Sequence, residues 1–146
     1  MKNGKIKYSK NDSNYKDIRN HLERCNDLFK PVLSSYINLD EYSMKLFERS
    51  IRFEIFYDTD LIGLVAMHHS FNVGYISNFS LEKNFIGKGL SNDLMLACLD
   101  ASIKKKLKTI RLEVFKENKR AVNFYIKHGF IVEQENKEVF TLVKIF

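Results

Sequence analysis

The sequence predicts a single-domain α/β protein, a mixed central sheet of about six to seven strands flanked by about four helices. Three observations predict it. Stretches of two-residue apolar alternation succeed stretches of helical periodicity along the chain. Some predicted strands follow one another through a short turn and others are separated by a helix, so neighbouring and crossover connections coexist and helices are expected on both faces. The 146 residues, 45% hydrophobic and 13% aromatic, suit one core and leave no room for a second domain.

The first strand is expected around Lys5 to Ser9, followed by helices around Tyr15 to Phe29 and Leu39 to Ser50. Arg52 to Tyr57 alternates and reads as a strand. Asp58-Thr59-Asp60 is a turn, and Leu61 to His69 completes a hairpin. Asn72-Val73-Gly74 opens the next turn or strand, and Tyr75 to Leu81 leads into a glycine-bearing turn, Ile86-Gly87-Lys88-Gly89-Leu90-Ser91. A long helix follows with Leu94, Ala97, Cys98 and Ala101 on its apolar side. Lys104 to Lys106 fall in its last turn, where cations meet the helix dipole favourably. Thr109 to Phe115, rich in branched residues, is a strand. Asn118 to His128 is a short helix with Ala121, Phe124, Tyr125 and His128 on one stripe, and Gly129 supplies its left-handed stop. Phe130 to Gln134 and Val139 to Ile145 are the last strands. The apolar final strand would pair with a second subunit if it lay at the sheet edge, giving a homodimer, and burial within one subunit explains it equally well.

Several classes of protein are excluded by composition. One proline, six glycines and no low-complexity run leave no visible linker, and there is no internal repeat. The start lacks the apolar stretch of a signal peptide, and no segment approaches the roughly 20 apolar residues of a membrane span. A soluble cytoplasmic protein without a membrane partner is expected. Cys25 and Cys98 each fit an apolar helical stripe and read as buried thiols. His68 and His69 are adjacent on a strand and point to opposite faces, with no metal-ligand spacing around them, so no metal is expected. The net charge of +6, from 24 Lys and Arg against 18 Asp and Glu, raises the question of nucleic acid. No aromatic-interleaved basic motif accompanies the lysine clusters, and nucleic acid is not expected as a partner.

Two segments carry chemistry. A strand, a glycine turn and a helix in that order offer free N–H groups and the positive end of a dipole as a seat for phosphate, with Lys83 and Lys88 nearby. The glycines also suit the backbone angles of such a turn without any ligand. Downstream, Tyr125 near the end of the short helix suits either a cleft beside the sheet or plain core. Asn118 suits an N-cap.

Together these segments resemble the GCN5-related N-acetyltransferase superfamily, over nearly the whole chain. The family's pyrophosphate loop falls on Ile86 to Ser91. Gly89 matches a fixed position, Gly87 and Lys88 resemble the usual filling, and Ile86 and Ser91 stand where the family has Gln or Arg and Gly or Ala. Asn118, Ala121, Phe124, Tyr125, Gly129 and Phe130 match the downstream pattern. The stretch from Phe29 to Ser34 and from Leu39 to Leu46 looks like a subgroup associated with bacterial surface-sugar pathways, and it also reads as a loop leading into an amphipathic helix.

The resemblance implies the acyl-CoA N-acyltransferase fold and transfer of an acyl group, most simply acetyl, from acetyl-CoA to a primary amine in a ternary complex. It implies that the strands carrying Leu81 and Val114 splay apart, that pantetheine pairs with backbone near Phe79 and Leu81, and that Asn118 bonds to it from the other side. The loop Ile86, Gly87, Lys88, Gly89, Leu90 and Ser91 would hold the pyrophosphate. A phenol stays protonated at neutral pH and can hand its proton to a thiolate, which makes Tyr125 the expected general acid. A backbone N–H near Leu81 is the expected oxyanion donor. Glu54, Glu82 and Glu113 are candidate bases, and each also reads as a structural carboxylate. Three acceptor classes stay open: a small amine such as a nucleotide-linked amino sugar, an amino acid or antibiotic, and a protein lysine or N-terminus. A protein N-acetyltransferase and a non-catalytic acyl-CoA sensor are the alternatives.

Overall fold

The computed structural model describes residues 4–146; Met1 to Asn3, at the start of the segment read above as lacking a leader, lie outside the described residues. The chain runs β1 (Ile6–Lys10), α1 (Tyr15–Cys25), α2 (Leu39–Arg49), β2 (Ile51–Tyr57), β3 (Asp60–Ser70), β4 (Val73–Leu81), α3 (Leu90–Lys104), β5 (Thr109–Phe115), α4 (Lys119–Lys127), β6 (Ile131–Glu135) and β7 (Val139–Ile145), with short 3-10 turns at Asn26–Leu28, Leu33–Ser35 and Lys83–Phe85. The seven strands of the described residues form one sheet in the order β1-β2-β3-β4-β5-β7-β6. Only β4 and β5 pair in parallel; the other neighbours are antiparallel.

Local chemistry starts and stops the elements. Asn14 accepts a bond from the Asp17 N–H and Asp17 returns one from the Asn14 N–H, a capping box that sets the start of α1. The Asn38 and Asn118 side chains cap α2 and α4 by accepting from the N–H groups of Glu41 and Ala121. Gly129, at φ 90°, stops α4 as its sequence suggests. The first helix is shorter than expected. Its α-form ends at Cys25 and tightens into the 3-10 turn of Asn26–Leu28, where the Asn26 side chain ties to Ser34 instead of continuing the helix. Likewise Lys104 is the last residue of α3, and Lys106 already stands at φ 61°.

The sheet separates two cores. β3 is buried on both faces, which is why Leu61 to Met67 reads as a continuous apolar run. Ile62, Val65 and Met67 pack toward α3 and α4, with Leu94, Met95 and Cys98. Leu61, Leu64 and Ala66 pack toward α1 and α2, with Ile18, Leu22 and Leu46. Both cysteines are buried free thiols. Of the two readings of the last strand, the edge position does not hold: β7 lies between β5 and β6 and bonds to both, and the edges are β1 and β6. No helix among the described residues is long and apolar enough to cross a membrane.

A buried charge pair fastens α1 and α2 to the sheet. Arg52, on β2, donates to the Ser13 hydroxyl and carbonyl at 2.8 and 3.0 Å and to the carbonyls of Leu46, Phe47 and Ser50 that end α2. Glu54, 3.4 Å from Arg52, accepts from the N–H groups of Asp12 and Ser13 and from the Ser13 hydroxyl. Both charges are satisfied by several bonds, the condition under which an ion pair survives burial.

Candidate active site

The parallel pairing of β4 with β5 lasts for three residues, Val73 with Thr109, Gly74 with Ile110 and Tyr75 with Arg111. Beyond it β4 continues to Leu81 and β5 to Phe115 without bonding to each other. Ser77 is an extra residue at this point, since Ile76 faces Met67 while Asn78 faces Ala66. Such a bulge bends a strand and raises its twist, and here it turns β4 away from β5.

A cavity opens on each side of the divergence. One, of about 380 Å³, lies toward α1 and α2 and is walled by Tyr36, Tyr42, Tyr75 and Phe115 together with Asn78 and Glu113. The other, of about 460 Å³, lies toward α3 and α4 and is walled by Leu81, Ile86, Gly87, Gly89, Leu90 and Ser91. Phe79, Asn118 and Tyr125 line both cavities. Thus the strand, loop and helix residues singled out in the sequence converge, although they lie up to forty-six positions apart, from Phe79 to Tyr125.

In the second cavity the start of α3 is a glycine turn. Gly87 and Gly89 stand at φ 86° and 81°, in the left-handed region that favours glycine, and a Cβ on either would project into open space. The helix that follows has no side-chain cap, so the N–H groups of its first turn remain free for a ligand. Ile86 packs against the main core, which accounts for an apolar residue at the start of the loop. The Lys88 side chain is exposed and lies outside the cavity wall; Arg120 and Lys127, both on α4, are the cations that line it. Arg120 belongs to the basic clusters of the sequence, whereas Lys127 was not singled out, because it reaches the cavity from a different element than the loop.

Tyr125 is 7% exposed, clasped edge-on by Phe79, Phe124 and Phe130 at ring distances of 6.2, 5.6 and 5.7 Å. Its hydroxyl has no hydrogen-bond partner among the described residues. Burial pushes the phenol well above its ordinary range, so it is protonated at any physiological pH. Cys25 lines the same cavity, and burial pushes its thiol up to about 12.

Of the three candidate carboxylates, the fold leaves one at the site. Glu54 is enclosed by Arg52 and Ser13, and Glu82 is held by Arg24 at 2.8 Å. Glu113 lines the cavity of Tyr42 and Tyr75 and accepts the Tyr75 hydroxyl at 3.2 Å. Burial, then the Glu113 charge, pushes Tyr75 up to about 12. His68 stacks on Tyr75 at 5.3 Å and forms no metal cluster, and no group of three or more potential ligands exists among the described residues.

A divergent parallel pair, a glycine loop at an uncapped helix start and a mixed seven-stranded sheet among the described residues make up the acyl-CoA N-acyltransferase fold. The model of the Acetyltransferase (GNAT) family matches residues 15–130, and the chain belongs to that family of N-acetyltransferases. Among solved structures it is similar to PaiA N-acetyltransferase from Thermoplasma acidophilum in complex with coenzyme A, at 18% identity and a TM-score of 0.76 over 97% of this chain and 99% of that one. A Pyrococcus horikoshii protein is similar at 25% identity and a TM-score of 0.77, again over 97% and 99%. The ribosomal-protein-S18-alanine N-acetyltransferase from Escherichia coli is similar at 13% identity and a TM-score of 0.73, over 97% and 94%. No curated protein matches the sequence.

Proposed function

We propose that the enzyme transfers the acetyl group of acetyl-CoA directly to a small primary amine, the two substrates entering from opposite sides of the divergence between β4 and β5. The observation that carries this reading is that Tyr125 lines both cavities at once. Phe79, Leu81 and Asn118 would hold the pantetheine arm, and Ile86 to Ser91 would hold the pyrophosphate through backbone N–H groups, with Arg120 and Lys127 adding charge. Bound there, acetyl-CoA supplies an activated thioester acyl group. Tyr125 holds the proton for the departing sulfur, and Glu113 receives the proton lost by the amine. A backbone N–H near Leu81 is the oxyanion donor.

The amine enters the cavity of about 380 Å³ between aromatic walls, a volume that suits a compact molecule. A carboxylate among tyrosine rings favours an organic ammonium. A nucleotide-linked amino sugar is one member of this class, and Lys30 is the cation of this wall that its phosphates would meet. The second reading, an acyl-CoA sensor without turnover, is favoured by Ile86 and Ser91 in the loop. Thermal unfolding with and without acetyl-CoA, followed by thiol release across a panel of amines, separates them. Stabilisation with turnover supports transfer, stabilisation without turnover supports the sensor, and no stabilisation removes both.

A further inference from the structure

Behind the acceptor cavity runs a chain of hydrogen bonds that ends on carbonyl oxygens at both sides. The Tyr42 hydroxyl donates to the carbonyl of Ser77, the bulge residue, at 2.5 Å and lies 3.2 Å from the Asn78 amide nitrogen. The Asn78 amide oxygen lies 2.8 Å from the Ser80 hydroxyl, which lies 2.8 Å from His21 Nε2. His21 Nδ1 meets the Leu61 carbonyl at 3.0 Å. A carbonyl can only accept, and a serine hydroxyl has one proton to give.

Two proton arrangements run along this chain, and they differ at His21. With both ring nitrogens protonated, His21 donates to Leu61 and to Ser80, Ser80 donates to the Asn78 oxygen, and the Asn78 NH2 faces Tyr42. With one ring proton, Nδ1 keeps Leu61 and Nε2 becomes an acceptor, so Ser80 must turn its proton toward His21. The Asn78 oxygen then has no donor, and the amide regains its bonds by turning end for end, with NH2 toward Ser80 and oxygen toward Tyr42, whose one proton swings from the Ser77 carbonyl to the Asn78 oxygen and leaves that carbonyl to the cavity that Ser77 lines. Amide orientation follows the network around it. Asn78 and Tyr42 wall the acceptor cavity, whereas His21 is fully buried behind them. We infer that His21 is a positioning residue, whose count of ring protons sets whether Asn78 presents a donor or an acceptor to the amine substrate.

The surroundings leave His21 and one carboxylate as the groups that change protons here. Glu82 stands 3.7 Å from Nδ1, Arg24 donates to both Glu82 and the Leu61 carbonyl, and the Cys25 thiol lies 3.8 Å away. Burial pushes Cys25 and Tyr42 up to about 12, so both stay protonated. Burial pulls His21 down and Glu82 works against it, which places the change on the acid side of the usual imidazole range.

The link to substrate rests on the acceptor-cavity reading above, and the test separates the two. In 15N-labelled protein, the His21 ring nitrogens and the Asn78 side-chain NH2 are followed through a pH titration, with Ser80→Ala as the variant that cuts the chain and Ser80→Cys as a bulkier substitute should the first not fold. The expected result is one shared midpoint in the parent protein, with His21 still titrating but Asn78 unmoved in the variant. An Asn78 signal indifferent to His21, or equally responsive without Ser80, overturns the inference, as does a ring that does not titrate while the protein is folded. These signals need no turnover. In the enzyme assay, KM for the amine should change about five- to tenfold across the same midpoint, about the worth of one hydrogen bond, with kcat unmoved. A flat KM beside a coupled NMR response overturns the contact between amine and Asn78 alone.

Discussion

Tyr75 and Glu113 stand on the two strands that part at the site, and the Tyr75 hydroxyl donates to the Glu113 carboxylate at 3.2 Å. Tyr75 is the last β4 residue paired with β5, and Glu113 lies two residues beyond its partner Arg111. The bond therefore crosses the base of the divergence and holds a carboxylate at the wall of the cavity proposed for the amine. Glu113→Gln keeps the bond and removes the proton acceptor. It should lower kcat by about 10²- to 10⁴-fold, the range of a positioned base, while leaving acetyl-CoA binding intact. Full turnover in steady-state kinetics would remove Glu113 from the mechanism.

Tyr125→Phe should retain the ring contacts with Phe79, Phe124 and Phe130 and lose only the proton. A fall in kcat of about 10²-fold or more is expected, with an unchanged dissociation constant for acetyl-CoA by calorimetry. Equal turnover at every pH would mean that the phenol serves packing alone.

Gly89→Val tests the phosphate loop. A Cβ there meets nothing within 4 Å, so the cost lies in the backbone, about 1–2 kcal/mol for a side chain held at left-handed angles. The protein should fold with a lowered midpoint and respond less to acetyl-CoA in thermal unfolding than the parent does. An undiminished response would place the pyrophosphate elsewhere.

Arg52→Ala leaves Glu54 buried beside an empty space and frees the end of α2. Removal of one partner from such a pair costs about 3–5 kcal/mol, readable as a shift in the urea midpoint. A loss below about 1 kcal/mol would show that Ser13 and the Asp12 N–H suffice for Glu54.

His128, at the end of α4, is held below the usual imidazole range by burial, then by Lys127 and Lys144. The unfolded chain takes up this proton first as pH falls, so the contribution to stability is present above the unfolded value near 6.5 and is lost toward lower pH. His128→Gln should flatten the stability curve between about pH 7 and pH 5, and an unchanged slope would contradict the shift.

The sequence by itself determined the elements and their kinds, because the signals are local. Apolar alternation and helical spacing marked β5 and β7 at their observed limits and most other elements to within a residue or two, and glycine at positive φ marked the stop of α4. The loop from Ile86 to Ser91 and the stripe bearing Tyr125 were legible for the same reason. Tertiary structure decided what no local pattern contains. It placed β7 inside the sheet, since strand order follows from pairing between distant segments. It chose among three carboxylates by surroundings: Arg52 and Ser13 captured Glu54, Arg24 captured Glu82, and the divergence of β4 from β5 left Glu113 at the cavity. It brought Arg120 and Lys127 to the cavity that the loop lines, leaving the Lys88 side chain outside it, and it set His21 behind Asn78. A charge takes its role from the groups that desolvate and bond it, and in this chain those groups lie dozens of residues away.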